Sequence, residues 1–457
     1  MHTLWGSHAF ALDVIANEEF LERAQDAPID VLLISSSPIH RWELGVQHVL
    51  RARALEASGG APLEALTQGL GGCFRLLETM RLLTVTKTVI SLPQTFSAPN
   101  LRTLRLSDVV LDFGAVRSTN LTTLALHISY HHPNMSLPMD FLDFLMSCPG
   151  LRELDLRGCI PHLRTESIRE EIMPISLPWL AELTLVQNRA AIVRFWSVLR
   201  IPSTASINIS FDDARMLDAS PLMTYIEDTY VFSSHVLANN GALPPVSALK
   251  IAAVNDGNMF YICLRLYHPG RGTGTTCTLD KSATTWTRKL SFDCSVHRWT
   301  ASELAAAIGR FSSIFRLSPA IKLLSIEGDG IHQCLHQAGL PPVYEQFHAV
   351  QTLHLDFYRE PEAFTPLGNL FYAHDSSCQT SSPPCPALET LYLSNFLVDV
   401  DEDHHNFDYI CHPLGETLYK RNKHGYRVRT LDLEHAEVSP LQHHYLSSFV
   451  DSIRVYP

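Results

Sequence analysis

An α/β fold of parallel strands backed by helices is predicted by three features of the sequence. The pattern L-x-x-L-x-L recurs strictly in five places, its copies follow one another at related distances, and segments of helical periodicity lie between them. Composition permits the large core such a fold requires. Of the 457 residues, 46% are hydrophobic and 18% charged, a balance that excludes an intrinsically disordered chain.

The strict copies are Leu101, Leu104 and Leu106; Leu121, Leu124 and Leu126; Leu151, Leu154 and Leu156; Leu180, Leu183 and Leu185; and Leu388, Leu391 and Leu393. At this leucine content chance supplies about one. Degenerate copies extend the series: Leu77, Met80 and Leu82; Val246, Leu249 and Ile251; Ile321, Leu324 and Ile326; Val350, Leu353 and Leu355; Val428, Leu431 and Leu433. From Leu77 the anchors stand 24, 20, 30 and 29 residues apart, and from Ile321 they stand 29, 38 and 40 apart. A leucine-rich repeat runs to about 20 to 29 residues. Within a strand, side chains alternate between two faces, so Leu154 and Leu156 point inward while Glu153, Asp155 and Arg157 point to solvent, where a partner can reach them.

Between the strands, PMDFLDFLMSCP, AIVRFWSVLR, ASELAAAIGRF and FDYICHPLGETLYKR carry apolar residues at helical spacing. A strand followed by a helix that returns the chain beside it builds a parallel sheet, and stacked units bury a core that none could bury alone. The expectation is a curved, leucine-rich-repeat-like solenoid with an irregular β-containing insert in the middle. Its parts are residues 1–60, a leading segment; 61–211, a first repeat block; 212–300, the irregular region; and 301–457, a second repeat block. In the irregular region NMFYICLRLYH, TTCTLDK and TRKLSFDC read as strands of an antiparallel hairpin around PGRGTGTT. Residues 374–386, HDSSCQTSSPPCP, read as an exposed loop.

Several function classes fall away. The net charge of -12 and a pI near 6.0 oppose binding to nucleic acid. No window approaches 18 apolar residues, and the N-terminal stretch, interrupted by His8 and Asp13, lacks the basic start of a signal peptide. A cytoplasmic or nuclear protein without a membrane contact is expected, and the sequons at Asn120, Asn134 and Asn208 are read as chance. Gly270, Gly272 and Gly274 have no GK[ST] after them and read as a hairpin turn. His332, Cys334 and His336, like His404, His405, Cys411 and His412, lack the paired spacing of a zinc site. There is no G-x-S-x-G elbow and no distinguishable carboxylate pair, so no enzyme, metal or cofactor is expected.

The ten cysteines contain no C-x-x-C pair and suggest no disulfide framework. Four of them fit repeat positions instead. Cys148 and Cys385 stand three residues before a leading anchor, and Cys73 is read as holding the same place ahead of the Leu77 copy. Cys159 and Asn188 stand three residues after the last leucine, an inward turn position where a small polar group bonds backbone amides.

The candidate functional residues are those between the leucines. In the first block they are Thr103, Arg105, Glu153, Asp155, Arg157 and Thr184; in the second, Glu327, Thr352, His354, Asp356, Tyr392, Asp432 and Glu434. The second set is the more acidic, and a basic segment of a protein partner is expected to dock there. The plain alternative is a solvated face whose charges discourage edge pairing.

The N-terminal stretch LWGSHAFALDVIANEEFLERAQDAPIDVLLIS, through Leu4, Trp5, the run Phe20 to Ala24, and Ala27, Pro28, Ile29 and Val31, resembles the end of the F-box and the segment after it in fungal F-box proteins with leucine-rich-like repeats. With APNLRTLRL, CPGLRELDLRGC and CPALETLYL included, the resemblance covers nearly the whole chain. It implies a substrate receptor that contributes no catalytic residue: F-box helices grip the adaptor subunit of a cullin-RING ubiquitin ligase, and the repeat sheet holds the protein to be ubiquitylated. The L-P-x-E helix of an F-box has its place ahead of Leu4 and is not in the sequence, which leaves Leu4 and Trp5 as the remnant of an adaptor contact. A repeat scaffold without ubiquitin-ligase association is the alternative expectation.

Overall fold

The computed structural model describes residues 2–11, 14–69, 72–84, 90–91, 96–110, 113, 120–129, 140–161, 163, 173–212, 222–238, 245–255, 260–269, 286–296, 300–328, 343–344, 346–356, 384–394, 406–434, 436 and 438–456. The chain divides into two compact units, Met1–Ile207 and Asn208–Pro457. Both are mixed α/β, with sheets that are parallel or mostly so. TTCTLDK, Gly270, Gly272, Gly274, Asn134 and residues 374–383 lie outside the described residues.

In the first unit α1 (His2–His8) and α2 (Val14–Ala24) lead into β1 (Ile29–Leu33), and α3 (Ile39–His48) returns the chain to β2 (Ala52–Ser58). After α4 (Gly60–Gly69) come β3 (Thr79–Leu83), β4 (Thr103–Ser107) and β5 (Thr123–His127). Then follow α5 (Asp140–Met146), β6 (Glu153–Arg157), β7 (Glu182–Gln187) and α6 (Arg189–Val198). Strand β8 (Ser206–Phe211) straddles the boundary between the units. Strands β1 to β7 pair in chain order and all in parallel. Met80, Leu104, Leu124, Leu154 and Leu183 share one register row, and Leu82, Leu106, Leu126, Leu156 and Leu185 share another. All ten are buried.

Among the described residues, several copies of the motif repeat the same two backbone devices. The anchor amide closes a turn on the carbonyl three residues back, as Leu101 does on Ala98 at 3.1 Å, Leu151 on Cys148 at 3.1 Å and Leu180 on Leu177 at 3.2 Å. The carbonyl of the residue after the anchor then accepts two N–H groups from the next copy. Arg102 accepts from Thr122 and Thr123, Thr122 from Arg152 and Glu153, and Arg152 from Ala181 and Glu182, all at 2.7–3.0 Å. Buried backbone groups at the strand entrances are thereby paired.

The turn residues correct two expectations. Ahead of Leu77 it is buried Phe74, one residue after Cys73, whose carbonyl closes the turn, and Cys73 is exposed. Cys159 is fully buried, but its thiol donates to the Leu126 carbonyl at 3.2 Å instead of accepting from amides. Gly158 makes that turn: its φ is +67°, and a Cβ there would lie 2.2 Å from the Ile128 carbonyl oxygen. Asn188 does accept a backbone N–H, from Ala191 at 2.9 Å, but as the N-cap of α6.

The second unit begins with α7 (Leu222–Asp228) and α8 (Ser233–Leu237), followed by β9 (Ala248–Asn255), β10 (Phe260–Pro269), β11 (Trp286–Val296) and α9 (Ala301–Ile314). Next come β12 (Leu323–Glu327), β13 (Thr352–Asp356), β14 (Thr390–Ser394), α10 (Asn406–Lys423), β15 (Thr430–Glu434), α11 (Pro440–Ser447) and β16 (Ser452–Tyr456). The order is β11-β10-β9-β12-β13-β14-β15-β16; β10 runs antiparallel to both its neighbours, and the rest are parallel. The double acceptance recurs. Lys322, Gln351, Glu389 and Arg429 each take two N–H groups from the following copy at 2.8–3.0 Å. Arg421 of α10 adds a lock that no pattern announces: its buried guanidinium donates to the carbonyls of Pro384, Cys385 and Tyr426 at 2.7–3.0 Å, fixing the turn ahead of Leu388.

Candidate functional site

The strand face opposite the leucines differs between the units. In the second, Lys250, Ser325, His354, Tyr392, Asp432 and Arg454 stand side by side in one register row across six strands. Strands about 4.8 Å apart let these polar side chains cover one another, and all but Arg454 are buried. This corrects the expectation of a solvated acidic face: His354, Tyr392 and Asp432 are internal. Glu327, Thr352, Asp356 and Glu434 keep partial exposure at the strand ends.

Hydrogen bonding within this row has a direction. Ser325 Oγ donates to Glu327 Oε1 at 2.8 Å and lies 2.9 Å from His354 Nδ1. With its one hydrogen directed at Glu327, Ser325 accepts from Nδ1–H, which leaves His354 Nε2 to accept from Ser394 Oγ at 2.9 Å. Lys250 Nζ closes the chain on Glu327 Oε2 at 2.5 Å. Burial lowers the His354 pKa against the pull of Glu327 and Asp356, which keeps the imidazole neutral, as this polarity requires. A serine donating to a neutral histidine is the start of a nucleophile relay. Ser394, however, is only 2% exposed, so the arrangement acts as a buried seam that fixes strand register. Beyond it, Tyr392 donates to Glu434 at 2.7 Å, and Arg454 grips Asp432 through two bonds of 2.6 and 2.9 Å.

In the first unit the corresponding row is Glu56, Arg81, Arg105, Ala125, Asp155 and Thr184. All six are partly or fully exposed. A groove of about 200 Å³ runs over β2 to β6, with Ala125 in its floor, Leu83 on its wall, and Arg81, Arg105, His127 and Asp155 around it. Alanine at position 125 makes the depression, because every neighbour in the row except Thr184 is long or charged. Arg105 reaches over β5 to Glu153, where Nη2 donates to both carboxylate oxygens at 3.0 and 3.2 Å. Arg157 chelates Asp155 on its own strand at 2.9 and 3.0 Å, and Arg81 approaches Glu56 at 3.5 Å.

Arg105, Glu153, Asp155 and Arg157 are thus brought together as the sequence suggested, with Thr184 beside Asp155 in register. Glu56, Arg81, Leu83, Ala125 and His127 complete the groove. Arg81 and Ala125 were accessible to sequence reasoning, since each occupies the same motif position as Arg105 and Asp155. At the N-terminus Leu4 is 57% exposed, whereas Trp5 packs edge-on against Phe20 at 4.9 Å and beneath the Arg23 guanidinium at 4.8 Å. Of the two adaptor-contact candidates, Trp5 is engaged between α1 and α2.

His332, Cys334, His336, His404 and His405 lie outside the described residues. Among the described residues no group of three His, Cys, Asp or Glu side chains is placed to hold a metal ion, and no helix is long and apolar enough to cross a membrane. No protein-family model matches the chain, and no curated protein matches it.

Proposed function

We propose that the chain is a non-catalytic protein-binding module that acts as an F-box-type substrate receptor of a cullin-RING ubiquitin ligase. The observation that carries the reading is the groove over β2 to β6, a partly exposed row of charged side chains around Ala125 on a parallel sheet. The same double acceptance ties β3 to β4, β4 to β5, β5 to β6 and β6 to β7 and holds such side chains at fixed spacing, which suits recognition. The recurring turn and double acceptance also support a leucine-rich-repeat-like, solenoidal construction for both units. In this role the protein contributes proximity alone, raising the effective concentration of its substrate near the ubiquitin-loaded enzyme. Exposed Leu4 on α1 is open to contact with an adaptor.

Affinity purification of tagged full-length chain against Ala125→Trp tests the reading. The indole fills the groove without entering the leucine core, so substrate proteins should fall at least about tenfold while thermal stability holds and the cullin adaptor is recovered with both forms. Identical substrate recovery from the variant refutes the binding role. Substrates recovered without the adaptor refute the ligase role and leave a scaffold.

A further inference from the structure

The groove in the first unit holds an unusual pairing: Arg81 and Arg105 are direct register neighbours on adjacent parallel strands. Like charges about 4.8 Å apart across a sheet repel, and the structure resolves this by drawing the two guanidiniums to opposite sides. Arg81 leans toward Glu56 on β2 and Arg105 toward Glu153 on β6. Neither pairing saturates its arginine. Among the described residues Arg105 commits only Nη2, and Arg81 meets Glu56 only at 3.5 Å. Both are substantially exposed, at 53% and 42% of their side-chain surface. The row therefore reads negative, positive, positive, neutral, negative from Glu56 to Asp155, with its two cations adjacent at the groove.

On the proposed protein-binding role, we infer that the groove is the seat of an acidic segment of the partner, one carboxylate side chain lying between Arg81 and Arg105 and a neighbouring aliphatic side chain resting on Ala125 against Leu83. The guanidinium fork matches a carboxylate in plane and spacing, and exposed Leu83 supplies an apolar wall beside it. The net charge of -12 does not prevent this, because charges beyond about 8 Å are screened at physiological ionic strength. The polarity is opposite to the one expected for the second unit, where Glu327, Asp432 and Glu434 are internally paired.

An array of octapeptides probed with the purified full chain tests the inference, with Glu, Gln, Lys or phosphoserine at one position and Leu or Ser at the next. Glu-Leu peptides should bind at least tenfold more tightly than Gln-Leu or Lys-Leu peptides. Arg81→Gln and Arg105→Gln should each reduce that preference at least fivefold while leaving the preference for Leu over Ser. A preference for Lys, no preference, or a preference unchanged in both variants overturns the inference. Phosphoserine peptides bound more than tenfold above Glu peptides, with inorganic phosphate competing, overturn the choice of a carboxylate. Should Ala125→Trp abolish substrate capture while the array shows no acidic preference, the binding role stands and only this inference fails; unchanged capture by that variant removes the role itself.

Discussion

Arg454 and Asp432 form an ion pair whose two halves are placed unequally, and the inequality predicts which deletion hurts more. The Asp432 side chain is 2% exposed and the Arg454 side chain 46%. Removing Asp432 leaves an arginine already half exposed at the edge strand, where water reaches it, and the loss is that of charge-assisted hydrogen bonds in a half-exposed setting, about 1 kcal/mol. Removing Arg454 leaves a carboxylate buried without its bidentate donor, which costs about 3 kcal/mol, the lower end for a broken buried pair. Arg454→Ala should therefore lower stability more than Asp432→Ala by about 1.4 kcal/mol or more, a tenfold difference in the opening equilibrium of β15 and β16. Native-state hydrogen exchange of these strands reads it.

The pH dependence follows from the same burial. Burial raises the folded-state pKa of Asp432 and Arg454 opposes that rise, so without Arg454 the value climbs further above that of the unfolded chain. A carboxyl group raised in the folded state carries a penalty that is full above its folded pKa and is relieved as pH falls through that value toward the unfolded one. The deficit of Arg454→Ala should thus shrink on going from pH 7 toward pH 4. A deficit smaller than that of Asp432→Ala at pH 7, or one that grows as pH falls, refutes the placement of the pair.

Two further substitutions test the repeat turn and the polar seam. Gly158→Ala forces a Cβ against the Ile128 carbonyl at a φ of +67°, whereas Gly425→Ala, at a φ of +84°, meets nothing within 4 Å; calorimetry should show the first to cost about 2 kcal/mol or more and the second about 1. His354→Phe strands the buried Ser394 hydroxyl, takes from Ser325 Oγ the donor it accepts while leaving its bond to Glu327, and should cost about 2–3 kcal/mol against about 1 for Ser394→Ala. Equal costs for these two would mean that the histidine does not bridge the serines.

The leucine pattern made the strands and their inward faces legible because burial of alternate residues leaves a period of two that chance does not imitate. What it could not reveal was the state of the other face. Residues between leucines are polar in both units, yet Arg105 and Asp155 meet solvent while His354 and Asp432 do not, because in the second unit adjacent strands place mutually bonding groups side by side in one row. That pairing depends on register between strands whose facing residues lie 22 to 75 positions apart in the sequence, which no single copy contains. Cys73 was misplaced for a related reason: the adjacent leucines at positions 76 and 77 offer two anchors, and only the turn closed by Phe74 decides between them. Arg81 and Ala125 sat in recognised copies, but the groove they make requires Arg105 to lean across β5, a contact set by three strands together.

The proposed docking of a partner protein on the groove of the first unit is open to site-specific photocrosslinking. A benzophenone amino acid placed at Leu83, which is 46% exposed on the groove wall, should give a discrete crosslinked partner in cells that vanishes when Ala125→Trp is added. The same probe placed at Val455 on β16, 44% exposed, should give none. A partner captured from Val455 but not from Leu83 would refute docking on the groove.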